Sequence, residues 1–201
     1  MKLYKITLNI SSIIFIILAT LSIVLTILEN NNAWYNLIIN YTVGITCSIL
    51  VVIITTWIQF KIEQIKLLNI VLNRANILFI KLNEIYNALL LTETKTTDKS
   101  EELSQLCFEI SKACLDLKFY SKKEQNKIDR IFVYSFELKK QIDNNGLGYT
   151  ENILKIFESD KLIQLGDNAV SLRYKDGCQA DIKEELEAIK TRKLYEQSTT
   201  H

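Results

Sequence analysis

The chain has no proline, only five glycines in 201 residues, and a single histidine, His201. With glycine confined to positions 44, 146, 148, 166 and 177, little along the chain interrupts a helix. One imidazole at the very end leaves no positioned general base for a Ser-His-Asp or Cys-His arrangement, and it removes His-rich metal sites. There is no Gly-rich phosphate cradle either. Gly146-Leu147-Gly148 lacks a third glycine and a preceding strand, and reads as a helix stop followed by a turn. Cys47, Cys107, Cys114 and Cys178 show no paired metal spacing and read as free, mostly buried thiols. The expectation is a chain with no catalytic, cofactor-binding or metal-ligating residues, and no enzyme.

What the chain has is apolar length. Ile6–Leu28 and Leu37–Phe60 carry no charge. At about 1.5 Å per residue, each exceeds the roughly 30 Å hydrocarbon core of a bilayer. Residues 29–36 alone separate them, so the chain crosses, turns and returns. Lys2 and Lys5 precede the first run, Lys61 and Lys66 follow the second, and the intervening turn has neither Lys nor Arg. The positive-inside bias predicts a multi-pass membrane protein with both termini cytoplasmic and the short turn outside. Tyr4 and Trp57 suit the inner interface, Trp34 and Tyr35 the outer one. A signal peptide is the rival reading of the first run, but the run is too long and lacks a small-x-small cleavage site.

Small and polar residues share one face in each run: Ser12, Ala19, Ser22 and Thr26 in the first, and Asn40, Gly44, Cys47, Ser48 and Thr55 in the second. Such residues let helix backbones approach and hydroxyls bond across the contact, so they are candidates for helix packing or, in an assembly, for lining a water-filled path. Asn40 stands out, because an unpaired amide is costly in lipid. No charge lies in either run, so any conduction would be poorly selective.

With only Gly44 to interrupt it, the second run is expected to continue as one rod over Leu37–Leu91. Ile65, Leu68, Leu72, Ala75, Phe79, Leu82, Tyr86 and Leu89 step by three and four, a coiled-coil-like seam that needs a partner helix and is a candidate oligomer seam. Beyond a polar loop at 92–99, a helix opened by Asp98 presents Leu103, Leu106, Ile110, Ala113, Leu117 and Tyr120. Ser121-Lys122-Lys123-Glu124 reads as a capping box for the next helix, which ends at Asn144-Asn145-Gly146. A further helix runs from Thr150 to a stop at Gly166, residues 167–177 stay ambiguous, and the last helix covers Gln179–Glu196. The fold class is all-α: a transmembrane hairpin (1–60), a cytoplasmic helical bundle (61–197) and a disordered tail (198–201). The bundle is charge-neutral, apart from a local run of Lys118, Lys122, Lys123, Lys127 and Arg130. That run is a candidate contact for anionic lipid or nucleic acid, weighed against a solvated helix junction with Phe119 and Tyr120 turned inward.

This layout resembles the two-transmembrane effectors of bacterial anti-phage systems, namely the SLATT class beside nucleotide-signalling systems and the small two-span effectors of retrons. The resemblance covers Ile6–Phe60 and the helix after it, where Lys81-Leu-Asn-Glu-Ile-Tyr-Asn-Ala-Leu89 is similar to SLATT helices. SLATT proteins usually carry a basic helix ahead of the first span. Here Met1–Lys5 stands in that place, which makes the retron-type effector the closer analogue. The resemblance implies a silent membrane protein that self-associates, permeabilises the inner membrane and stops growth, held by a partner protein or ribonucleoprotein of a defence system. The alternative is a non-conducting membrane-anchored scaffold whose bundle docks a cytoplasmic partner.

Overall fold

The structure, a computed structural model, describes residues 2–28, 33–92, 99–145, 150–157, 159–172 and 178–199. It is all-helical: α1 (Lys2–Ile27), α2 (Ala33–Thr92), α3 (Ser100–Asp116), α4 (Lys122–Asn145), α5 (Thr150–Phe157), α6 (Asp160–Val170) and α7 (Cys178–Thr199). The chain divides into two compact units, Met1–Ile65 and Lys66–His201, five residues beyond the boundary expected from hydropathy. The long α2 belongs to both, as the missing breakers predict.

The first unit is a hairpin. Its seam on α1 comprises Tyr4, Leu8, Ser11, Phe15, Leu18, Ser22 and Leu25; on α2 it runs through Tyr35, Ile39, Thr42, Thr46, Ile49, Ile53, Thr56 and Phe60. Both series step by three and four and are buried or half-buried, while the residues between them are largely exposed. The Ser22 and Thr46 hydroxyls meet across the seam at 3.5 Å. The Tyr35 hydroxyl donates to the Leu25 carbonyl and ties the two helices near the turn. Thr42 and Thr46 also return their hydroxyls to the Ile38 and Thr42 carbonyls, at 2.8 and 2.7 Å, so the seam buries hydroxyls that are already satisfied. Both helices are long and apolar enough to cross a membrane. Of the qualifying windows, none in α1 and 6% in α2 is buried, unlike the mostly buried core helix of a water-soluble fold.

The second unit is a bundle built around the last part of α2. Leu68, Val71, Leu72, Ala75, Leu78, Phe79, Leu82, Ile85 and Tyr86 are all buried there. α3 packs on α4, α4 on α5 and α6, and α6 on α7. Arg74 pairs with Glu109 at 2.6 Å and Lys81 with Glu102, joining α2 to α3. The Lys81 ammonium holds the Glu102 carboxyl below its ordinary range. The Asn83 amide donates to the Glu185 backbone carbonyl at 3.3 Å and to its carboxylate, joining α2 to α7. Tyr86 packs its ring 4.9 Å from that of Phe157 on α5.

Several expected features take a different form. The candidate oligomer seam is filled from within the chain: Leu68, Leu72, Phe79, Leu82 and Tyr86 are buried in the bundle, Ile65 is exposed, and the Leu89 side chain lies outside the described residues. A stripe at helical spacing demands a cover but does not say whose. α3 stops at Asp116 and leaves Tyr120 exposed. Ser121 does cap α4, its hydroxyl accepting from the Glu124 amide at 3.5 Å. Gln125 adds a further tie, its side-chain carbonyl accepting from the Phe119 amide at 2.9 Å, and Glu124 is buried and pairs with Lys127 at 3.2 Å. Residues 167–170 are helical, 173–177 lie outside the described residues with Asp98, and Ser198 and Thr199 belong to α7 rather than to a disordered tail.

Gly166 is not a helix stop. It sits inside α6, where an added Cβ would lie 2.9 Å from both Leu186 Cδ1 and Phe79 Cζ. Any larger residue must displace the tips of Leu186 and Phe79, because three helices converge on this point. The Gln179 amide then closes α6, donating to the carbonyls of Ala169, Val170 and Leu172 at 3.1, 3.2 and 2.8 Å. Alanine at 166 gains helix propensity of about 1 kcal/mol, whereas overpacking costs about 1–3 kcal/mol. Phe79 and Leu186 are both buried, so either tip moves only by displacing its neighbours. Gly166→Ala should therefore lower the melting temperature of the bundle, followed by helical circular dichroism, and Gly166→Val should lower it further.

Candidate functional site: the open face of the second apolar helix

Ser12, Ala19 and Ser22 lie on the half-buried side of α1, and Ser22 makes the contact to Thr46; Thr26 is exposed and bonds its own helix at the Ser22 carbonyl. On α2 the outcome is reversed. Asn40, Gly44, Cys47, Ser48 and Thr55 are all exposed. At 100° per residue, Gly44 falls nearly opposite the Thr42–Thr46–Thr56 seam that meets α1. These five residues take no part in closing the hairpin. The seam residues Thr42, Thr46 and Thr56 escape the sequence reading, although their steps with Ile39, Ile49 and Ile53 match the same period.

Around Gly44 the outward face forms a shallow groove of about 590 Å³, bordered by Leu37, Asn40, Tyr41, Ile45, Ser48 and Val52. A Cβ added at Gly44 would meet nothing within 4 Å. The hydroxyls of Ser48 and Thr55 are already spent on the Gly44 and Val51 carbonyls, each at 2.9 Å. Asn40 differs, since its amide makes no hydrogen bond among the described residues. A groove beside an amide with both donor and acceptor capacity is what a second helix can enter and bond.

The remaining candidates are dispersed. In the basic run, Lys127 is consumed by Glu124 and by the Ser171 carbonyl, bracing α4 against the end of α6. Lys118 is half-buried, whereas Lys122, Lys123 and Arg130 are exposed. Burial pushes the Cys107 thiol up to about 12 and does the same for Cys114, so neither is a thiolate at neutral pH. Cys47 is exposed, contrary to the expectation of buried thiols, and the Cys178 side chain lies outside the described residues. In the bundle, a second groove of about 640 Å³ runs between α2 and α3, floored by Leu67, Ile70, Ile77 and Ala113 and rimmed by the Arg74–Glu109 pair.

Comparison with known proteins finds no matching family model, no matching curated protein and no matching solved structure.

Proposed function

We propose that the chain is a membrane-embedded effector that oligomerises and permeabilises the bacterial inner membrane in anti-phage, abortive-infection defence, with no catalytic step of its own. In this reading α1 and the first part of α2 span the bilayer, and both termini face the cytoplasm, on the side of Lys2, Lys5, Lys61 and Lys66. The observation that carries it is the α2 face of Asn40, Gly44 and Ser48, turned away from α1 and left open within an otherwise apolar surface. Lipid chains can fill the groove but cannot bond the Asn40 amide; the α2 face of a second copy can do both. Hairpins that cluster along this face bring their Asn40 amides together and open a leak. With no charge in either span, the leak is poorly selective. Assembly belongs to the hairpin, since the Leu68–Tyr86 seam is covered inside each chain. The defence setting rests on the architectural resemblance to two-span effectors.

Induced expression with a membrane-potential dye tests this. The native chain should depolarise bacteria. Gly44→Leu, which meets nothing inside the chain, should insert normally yet depolarise at least about tenfold more slowly. Undiminished depolarisation by Gly44→Leu would contradict the proposal.

The groove between α2 and α3 favours a second reading, an adaptor that docks a cytoplasmic partner while the hairpin only anchors. Exchanging residues 1–60 for an unrelated two-span anchor separates the two. An adaptor keeps its partner and its function, whereas the effector loses its toxicity.

A further inference from the structure

Among the described residues of the bundle, every exposed large apolar side chain except Ile70 lies on α3, on α4 or in the turn between them: Phe108, Leu115, Tyr120, Val133 and Phe136. Their placement is ordered. Ser104 bonds Asp143 at 2.5 Å and Ser111 meets Ser135 at 2.9 Å, which fixes α3 and α4 antiparallel. In that register Leu115 lies level with Phe132, and Phe108, one heptad before it, lies just beyond the level of Phe136; the Phe132 and Phe136 rings stack at 6.2 Å. Cations flank them. The Lys140 ammonium sits 4.8 Å over the Phe136 ring, exposed Lys122 falls on the same side of α4, and exposed Arg130 and Lys123 lie further round, beyond Val133.

Two neighbouring carboxylates are committed elsewhere, Glu124 to Lys127 and Glu137 to Lys161. Asp129, which accepts from the neutral Gln125 amide, and Asp116, on the cleft towards α2, keep their charge, so the cations of this face outnumber its uncommitted carboxylates. Helix stability does not account for the lysines either, because Lys122 and Lys123 occupy the first turn of α4, where the helix dipole disfavours cations.

We propose that this α3–α4 face is a membrane-docking surface that lies on the anionic headgroups of a bilayer, with its apolar side chains entering the acyl boundary. Apolar side chains flanked by Lys/Arg are the chemistry of interfacial binding. Leu115 and Val133 offer nothing to a phosphate backbone, and the bundle as a whole is charge-neutral, so a nucleic acid fits less well. The proposal rests on the reading of α1 and α2 as spans, which tether the face to a bilayer and make its attachment intramolecular. Docking would hold the bundle in one arrangement on the membrane, and its release would alter which surfaces are free to assemble.

The full chain is tested in lipid nanodiscs of phosphatidylcholine alone or mixed with phosphatidylglycerol, with lysines acylated by a water-soluble ester and each site read by mass. Lys122 and Lys123 should react at least about fivefold more slowly in the anionic discs, the factor expected of a single cation at an anionic surface. Lys155 and Lys183, exposed on α5 and α7, should not change. High salt, Arg130→Glu, or Leu115→Ser with Val133→Ser should each restore reactivity. Equal reactivity in the two kinds of disc would overturn the proposal. So would protection that ignores lipid charge and grows with protein concentration, the sign of a second copy, or that needs added RNA. Retention in vesicles after alkaline carbonate reports on the span reading separately.

Discussion

Hydrocarbon offers a polypeptide no hydrogen bonds, and the first unit of this chain is arranged around that constraint. Two helices satisfy their own backbones, the hydroxyls of Thr42, Thr46, Ser48 and Thr55 return to carbonyls one turn back, and apolar side chains cover most of the remaining surface. Ile13, Ile16, Ile17 and Ile23 on α1 are each about half exposed or more, as are Val51 and Ile45 on α2. Exposure of that extent is unfavourable in water and neutral in lipid. The Asn40 amide makes no hydrogen bond among the described residues, and that gives the outward face of α2 its meaning.

The bundle follows the opposite logic. Its apolar stripe on α2 is covered by α3, α5, α6 and α7, closely enough at Gly166 that an added methyl group must push aside the tips of Phe79 and Leu186. Ion pairs from Arg74 and Lys81 and the Asn83–Glu185 contact hold the flanks. The surface pairs fix register more than they stabilise, since exposed ion pairs contribute about 0–1 kcal/mol. The α2 stripe is thus covered from within the chain, and the proposed activity resides in the hairpin.

The two apolar runs, the uninterrupted α2 and the all-helical class were legible from residue types alone, because hydropathy and the absence of proline act locally. Faces were harder. On α2 the Thr42–Thr46–Thr56 series and the Asn40–Gly44–Ser48 series both repeat at helical spacing, and composition does not say which one meets α1. The Leu68–Tyr86 stripe announced that it needed a cover, but its partners come from segments up to a hundred residues away, as the Asn83–Glu185 pair illustrates. Gly166 misled for the same reason. Nothing beside it in the chain indicates that Phe79 and Leu186 crowd its Cα. The basic run was visible as a charge pattern, whereas its division into the bracing Lys127 and the exposed Lys122, Lys123 and Arg130 depends on where α6 ends.

The most direct measurement is disulfide cross-linking in native membranes, with Cys47 replaced by serine. Ser48 lies on the outward groove of α2, and Leu50 is an exposed position on its flank. If copies meet through the groove, Ser48→Cys chains will oxidise to linked dimers while Leu50→Cys chains will remain monomeric. Dimers at position 50 but not at 48, or at neither, would contradict an assembly built on this face.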